Sequence, residues 1–312
     1  MTIWSILGSG VTGLCVATTL YEQGELIEVI ESPHAQGASH LAGGMLSPFC
    51  EGENAPQIVV EQGQFAANWW KRHVSCVIQN GSLVLAPARD SAELLRFARM
   101  TQCYEWVSPG MLEPDLGDRF AKGLFYPSEA HLDPRQALGE LKQKLINAGV
   151  DFHTNRPNGR IIDCRGIQAS AELSDLRSIR GEMIILQSEE ISLSRSIRLL
   201  HPRFPCYIVP RDNNRFMVGA TMVESSKADP ICARAIMELL SSAYSVHPSF
   251  AEASVVEVGA GLRPAFFDNV PAIHFKDGKF FVNGMYRHGF LLAPILAEKL
   301  LGQLTQTQES GK

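Results

Sequence analysis

The fold class this sequence predicts is α/β, with two units threaded through one another, and three observations predict it. A short apolar run, Ile3–Leu7, meets Gly8-Ser9-Gly10-Val11-Thr12-Gly13 and continues into a helical stretch from Leu14 to Tyr21, with a second apolar run at Leu26–Ile30. That is a complete strand–helix–strand unit in about thirty residues, the length of one right-handed crossover. Strand patterns recur far downstream, the last at Lys279–Asn283 with a helix behind it. No Gly/Ser/Pro-rich linker divides the 312 residues, so two units in this chain would be interleaved, the chain crossing between them more than once.

Each element has a local cause. Ile3–Leu7 is apolar enough for a strand buried in a parallel sheet, and Gly24 punctuates the passage to Leu26–Ile30, which ends on Glu31. Ser39–Pro48 (SHLAGGMLSP) has no periodicity and holds Gly43 and Gly44, which predicts a loop. Helical patterns cover about 57–79, with Phe65, Trp69 and Trp70 on the buried face, and about 91–106, where Ser91 is a candidate cap and Glu93 lies in the first turn. Asp133-Pro134 starts a helix, a capping carboxylate followed by proline at the first helical position; Gly149 stops it after an apolar face of Leu138, Leu141, Leu145 and Ile146. Asp229-Pro230 opens another in the same way. Strand patterns lie at Ile161–Cys164, Glu182–Leu186, Cys206–Val209, Phe216–Gly219, Val255–Val258 and Lys279–Asn283. A last helix runs from about Leu292 to Leu304, before the polar tail Thr305–Lys312.

Composition excludes several classes. The chain is 45% hydrophobic and 20% charged, with 26 Gly and 17 Pro scattered along it, which is neither a disordered, a collagen-like nor a coiled-coil composition. Lys plus Arg is 28 and Asp plus Glu is 33, a net charge of −5 with no basic run, which argues against nucleic acid or an anionic membrane as partner. The seven cysteines, Cys15, Cys50, Cys76, Cys103, Cys164, Cys206 and Cys232, form no CxxC pair. No HExxH occurs and no His sits at metal-ligand spacing from a Cys, so no metal site is predicted and most cysteines read as buried reduced thiols. That fits a reducing compartment. The opening MTIWSILGSG has no Lys or Arg before its apolar run, unlike a secretory signal, and is too short for a membrane span; the predicted location is the cytoplasm.

The glycine-rich turn has the context a dinucleotide fingerprint requires: strand before, helix after, and an acid, Glu31, about 20 residues on. Gly8 permits the tight turn, Gly10 lets a pyrophosphate approach the backbone, and Gly13 lets helix and strand pack closely. The helix N-terminus offers unpaired N–H groups and a positive dipole end. Glu31 can accept hydrogen bonds from ribose hydroxyls, with no Arg after it to prefer a 2′-phosphate. NAD and FAD both use this arrangement, and the fingerprint leaves the choice open.

Later segments bear on it. SHLAGGML, shortly after Glu31, looks like the segment that amino-acid oxidases of the D-amino-acid oxidase family run beside the flavin ring. CYIVPRDNNRFMVGATM (Cys206–Met222), VGAGLRPAFFDNVPAI (Val258–Ile273) and GMYRHGFLLAP (Gly284–Pro294) closely resemble stretches of the glycine oxidases of that family, which serve thiamine biosynthesis. In order along the chain, these motifs carry the resemblance from residue 3 to residue 294. It implies FAD as cofactor, and a Rossmann-like FAD-binding domain (1–48, 146–178 and 255–312) interleaved with an α+β substrate domain (49–145 and 179–254) built on an antiparallel sheet. It also implies roles. Arg263 matches the arginine that pairs with the substrate carboxylate, and Arg287 a second arginine near substrate and flavin. Tyr207 matches a tyrosine facing the substrate, and Met222 lines the same pocket. Val11, Thr12, Glu31, Ser32, Ala38, Ser39, Gly43, Gly44 and Met45 match FAD contacts beside the fingerprint glycines. Met285, Tyr286, Arg287, His288, Gly289, Phe290 and Leu291 match the turn around the flavin's pyrimidine end.

These roles make chemical sense. An arginine fork grips a carboxylate in two places and fixes the Cα–H over a flavin, and orientation is the main service a protein gives to hydride transfer. The implied activity is oxidation of glycine or another small amino acid or amine to the imine, which hydrolyses to the oxo acid and ammonia. Oxygen would be reduced to hydrogen peroxide, and the product would feed thiamine thiazole synthesis. Two other readings stand beside it: a dehydrogenase passing electrons to a quinone or carrier, and a flavoprotein subunit with negligible turnover of its own. A Rossmann-type NAD enzyme fits the first thirty residues or so and leaves the other motifs unexplained.

Two departures stand out. Where the family builds a strand and a small β-meander, this chain has only VDFHTNRPNGR (Val150–Arg160), so the meander is missing or reduced to a turn. A domain trimmed there would bind FAD more loosely, or borrow surface from a second copy or a partner subunit. The turn GMYRHG carries Met285 and His288 where relatives often have other residues; His288 is read as a surface imidazole, the other reading being a group that alters proton delivery or oxygen access.

Overall fold

The computed structural model describes residues 3–32, 37–201, 205–227 and 229–310. Its first sheet has six strands in the order Ala272–Lys276, Lys279–Asn283, Arg160–Asp163, Ile3–Leu7, Leu26–Ile30 and Asp151–His153. All neighbours are parallel except the hairpin at one edge. That hairpin turns on Asp277-Gly278 with φ of 49° and 76°, the left-handed pair a two-residue connection requires.

The strands' two-residue period divides the sheet into unlike faces. Trp4, Ile6, Ile27, Val29 and Ile162 join one core with residues of the helices Val11–Glu22, Pro134–Asn147 and Gly289–Ser310. Asp133 caps the second of these, accepting from the backbone N–H groups of Arg135 and Gln136. The last helix starts at Gly289, earlier than expected, and runs through Pro294. A proline there leaves the carbonyl four residues back without its helical donor, and the Trp70 indole N–H supplies one, donating to the Phe290 carbonyl at 2.7 Å.

Between these apolar positions Ser5 pairs in register with Glu28, and the buried carboxylate of Glu28 organises what stands in place of the meander. Residues 154–159 alone join Asp151–His153 to Arg160–Asp163. Glu28 accepts from the Asn158 backbone and side-chain N–H groups at 2.7 and 2.8 Å, from the Ser5 hydroxyl at 2.5 Å, and pairs with His153 Nε2 at 3.1 Å. Burial alone would raise its pKa; these hydrogen bonds outweigh burial and hold the carboxyl at about 2, against an ordinary 4.5. A depressed folded-state value contributes stability above pH 4.5 that is lost as pH falls towards 2, on the order of 3 kcal/mol for this shift. Glu28→Gln is therefore expected to melt lower than wild type at neutral pH, with the difference shrinking as acid protonates the wild-type carboxyl. Thermal melts across that pH range check it.

The second sheet has nine strands, centred on Arg177–Gln187, which pairs antiparallel with Arg215–Gly219 and with Ser254–Ala265. Cys206–Arg211 adds beyond Arg215–Gly219, and Ser196–Leu199 next, itself parallel to Ser82–Leu85. The helix Ala233–Val246 packs its buried face into this sheet's core.

Several predicted boundaries are corrected. The helix expected over 57–79 is two, Gln57–Gly63 and Ala66–His73; a Cβ at Gly63 would come within 2.9 Å of the Leu291 side chain, so the break lies where the chain passes close to the last helix. The helix expected over 91–106 is Ser91–Met100. Cys103 takes a left-handed φ of 62° and the chain continues as the strand Glu105–Val107. Ser91 is inside that helix and does not cap it, because a 3₁₀ turn, Ala88–Asp90, precedes it. Asp229-Pro230 does not open a helix: Arg180 bonds the Pro230 carbonyl and pairs with Asp229 at 4.0 Å, and helix begins only at Ala233. The loop expected over Ser39–Pro48 contains a 3₁₀ turn, Ala38–Leu41, and a two-residue strand, Met45–Leu46. Cys15, Cys50, Cys164 and Cys206 are buried free thiols, while Cys103 and Cys232 are exposed. The last two residues of the polar tail lie outside the described residues. Among the described residues no helix is long and apolar enough to cross a membrane.

Candidate functional site

One cleft of about 820 Å³ gathers nearly every site residue read from the sequence. Gly8, Gly10, Val11 and Thr12 line it from the first turn, Glu31 and Ser32 from beyond the second strand, and Ala38, Ser39, Gly43, Gly44 and Met45 from the segment that follows. Tyr207, Met222 and Arg263 enter from the second sheet and its loops, and Met285 to Leu291 complete the lining. Gly13 is the exception: it lies behind the lining, where a Cβ would stand 1.8 Å from the Gly8 carbonyl oxygen.

The residues present fit a dinucleotide. Gly8 sits at φ +100°, and a Cβ built on Gly10 meets only the Ser39 hydroxyl, at 3.3 Å, so the backbone there is bare towards the cleft. Helix Val11–Glu22 has no side-chain cap at Gly10, and its Val11 N–H donates to Ser39 Oγ at 3.1 Å; the positive end of its dipole faces the cleft, where an anion would be stabilised. The last helix brings a second N-terminus to the same place; a Cβ on its first residue, Gly289, would lie 3.1 Å from Val11. Glu31 accepts from Ser9 Oγ at 2.7 Å and from Lys142 Nζ at 2.8 Å. Burial works against its charged form, but these partners hold its pKa below the ordinary value. The volume lies within the roughly 300–1,000 Å³ typical of cofactor sites.

Arg263 stands on Ser254–Ala265 opposite the strand Arg177–Gln187, and Gly181 on that neighbour makes its room: a Cβ there would be 2.2 Å from the guanidinium carbon. Its Nη1 donates to the Thr221 carbonyl at 3.1 Å, and Thr221 Oγ1 in turn donates to Glu182 at 2.8 Å. Among the described residues no carboxylate lies within ion-pair distance of Arg263. The Tyr207 ring lies against Gly43, 2.6 Å from where a Cβ would be, and burial raises the pKa of its hydroxyl, keeping the phenol neutral. Met222 is 47% exposed, so it is not a core filler; its sulfur accepts from the Tyr286 hydroxyl at 3.3 Å.

The sequence reading missed Glu51 and Arg198, which also line the cleft. Glu51 takes Arg287 Nη2 at 2.5 Å, His288 Nε2 at 2.9 Å and Arg198 Nη1 at 3.4 Å. His288 is therefore no surface imidazole: it is 2% exposed, and its ring closes this cluster. Burial pushes the Glu51 carboxyl towards neutrality, but Arg287, His288 and Arg198 outweigh it and hold the group well below the ordinary range. Gly181 and Lys142 were missed as well. The signal for Gly181 was a lone glycine directly before the strand pattern Glu182–Leu186, and glycine in a strand marks a close approach; Arg198, a charge between Ile197 and Leu199, was a similar clue.

A parallel sheet with a glycine-marked turn, feeding a cleft that reaches a second, antiparallel sheet carrying an arginine without a carboxylate partner among the described residues, defines a dinucleotide-dependent enzyme. A family model described as FAD dependent oxidoreductase (DAO) matches residues 4–303, and the chain belongs to that family, with FAD as its cofactor. It is 48% identical, over 96% of each chain, to the Rhizobium etli protein assigned as thiamine biosynthesis oxidoreductase ThiO. It is 26% identical to a glycine oxidase of Bacillus licheniformis, covering 97% of this chain and 94% of that one. Its fold superposes on the crystal structure of glycine oxidase from Geobacillus kaustophilus with a TM-score of 0.81, covering 98% of this chain and 95% of that one, at 20% identity. Iminodiacetate oxidase from Chelativorans gives 0.82, covering 97% and 95%, at 21% identity.

Proposed function

We propose that the protein oxidises glycine or another small amino acid or amine to the imine, with oxygen as the electron acceptor, and that its product serves thiamine biosynthesis. The observation that carries the reading is Arg263, an arginine lining the cofactor cleft with no carboxylate partner among the described residues. The thiamine link rests on the Rhizobium etli relative.

FAD, when bound, supplies the two-electron chemistry that removes a hydride from the substrate carbon. The chain's own residues do the rest. Gly8, Gly10, Val11 and Thr12 would hold the pyrophosphate against the helix N-terminus. Glu31, steadied by Lys142 and Ser9, would take the ribose hydroxyls. Ala38, Ser39, Gly43, Gly44 and Met45 would lie along the flavin, and Met285 to Leu291, at the start of the last helix, would face its pyrimidine end. Arg263 would bind the substrate carboxylate with its fork aimed by Thr221, presenting the Cα–H in one orientation. Tyr207 and Met222 would enclose the substrate, the neutral phenol donating a hydrogen bond without adding charge. A substrate amine that is already neutral needs no general base, and the imine hydrolyses to the oxo acid and ammonia in water. In this reading residues 1–48, 146–178 and 255–312 form the FAD-binding part and 49–145 and 179–254 the substrate-binding part, with Ser254–Ala265 joining the two through its pairing to Arg177–Gln187.

Anaerobic addition of glycine, sarcosine, D-alanine and D-proline to the yellow holoprotein tests this. Bleaching of the flavin band by one of them is expected, with recovery of colour on readmitting air. A band that none of the four bleaches would overturn the substrate class, and bleaching that air does not reverse would overturn oxygen as acceptor.

A further inference from the structure

Four arginines line the cleft, Arg165, Arg198, Arg263 and Arg287, and their charges are treated differently; Arg165 is matched by Asp163 and by Glu172 at 2.7 Å. Arg287 and Arg198 share Glu51, and Arg198 also pairs with Glu53 at 3.1 Å. Glu53 bonds Arg96 as well, but Arg96 has its own carboxylate in Glu93 at 2.9 Å. Arg198 and Arg287 therefore stand against two carboxylates, and among the described residues the cleft arginine left without one is Arg263. Glu51 is placed to do more than balance a sum. Its Oε2 receives both Arg287 and His288, and its carboxylate is 10% exposed, so that pairing is screened little by water.

We propose that Glu51 is a specificity-determining residue: by pinning Arg287 and cancelling its charge, it leaves Arg263 as the one cleft arginine without a carboxylate among the described residues, and so selects substrates with a single carboxylate over those with two. The inference rests on the amino-acid reading above and deepens it. A second carboxylate in the cleft would have only paired arginines to meet, and would come close to Glu51 itself, so it would give up its hydration without gaining a partner. Replacing Glu51 by glutamine keeps size and hydrogen-bonding capacity while freeing Arg287 to take that second carboxylate.

The test uses holoenzyme and two dead-end ligands, acetate and malonate, titrated through the change each makes in the flavin absorption band. In Glu51→Gln, malonate is expected to tighten relative to acetate by about tenfold or more, the scale of adding one unpaired charge to a desolvated site. A second variant, Arg287→Gln, keeps the inference testable should the first fail to fold: with Glu51 uncompensated, malonate should weaken more than acetate. An unchanged malonate-to-acetate ratio in a folded, flavin-replete variant would overturn the role of Glu51 and leave the amino-acid reading intact. If neither anion perturbs the flavin of the wild type, the carboxylate site itself is overturned, and both readings fall together.

Discussion

Arg263→Ala is expected to keep its flavin and lose amino-acid oxidation, with kcat/KM falling by about 30- to 5,000-fold. The scale follows from removing one partner of a desolvated, charge-assisted pair, about 2–5 kcal/mol or more, with each 1.36 kcal/mol a factor of ten in rate. Flavin retention is expected because the guanidinium is held by Gly181 and the Thr221 carbonyl, on the second sheet and away from the glycine turn. The pairing also makes the expected loss specific: an amine substrate without a carboxylate should be affected far less. Steady-state kinetics with flavin content measured on the same samples checks both halves. Wild-type turnover of glycine in this variant would remove Arg263 from the carboxylate role.

Gly10→Val should give the opposite pattern, a folded but flavin-poor protein. A Cβ at Gly10 would lie 3.3 Å from the Ser39 hydroxyl, a contact a small side-chain shift relieves, so the fold tolerates it. The branched methyls then occupy the space where a pyrophosphate would meet the backbone. The Kd for flavin should rise by about tenfold or more, since losing close backbone approach to a charged group costs more than about 1.4 kcal/mol, and the purified protein should carry correspondingly less flavin than wild type. The absorbance ratio of flavin band to protein band reads it directly, alongside a circular dichroism spectrum unchanged from wild type. Gly13 would be the wrong position for this test, because a Cβ 1.8 Å from a backbone oxygen disturbs the fold before it reaches the cofactor.

What could be read from the sequence was whatever depends on neighbours along the chain. The first strand–turn–helix is local chemistry, as are the Asp133 cap and the strand Lys279–Asn283, whose bounds match the structure residue for residue. The fingerprint glycines and Glu31 came from motif spacing and the other cleft residues from the family resemblance; Gly13 apart, they converge in space. What was missed depends on partners distant in the chain. Arg198 and Glu51 are 147 positions apart and meet only once Ser196–Leu199 has paired with Ser82–Leu85. Asp229-Pro230 has the chemistry of a helix start, but Arg180 takes both residues first. The split at Gly63 reflects a side chain on the last helix, which no window of local sequence contains. His288 was misread for the same reason, since an imidazole's surroundings are set by the carboxylate that finds it.

The bond from Trp70 to the Phe290 carbonyl has an optical consequence. The indole lies 5.4 Å from the Phe290 ring, centroid to centroid, and Phe290 itself lines the cleft, so Trp70 stands one residue behind it, with Trp69 against it at 5.0 Å. Indole emission overlaps flavin absorption, and at so short a range an excited tryptophan passes its energy to a flavin rather than emitting. Trp70 emission is therefore expected to be quenched when the cleft is filled and to rise when it is stripped, which fluorescence before and after flavin removal checks. Cofactor exchange can be followed in real time through two of its four tryptophans, without any added label.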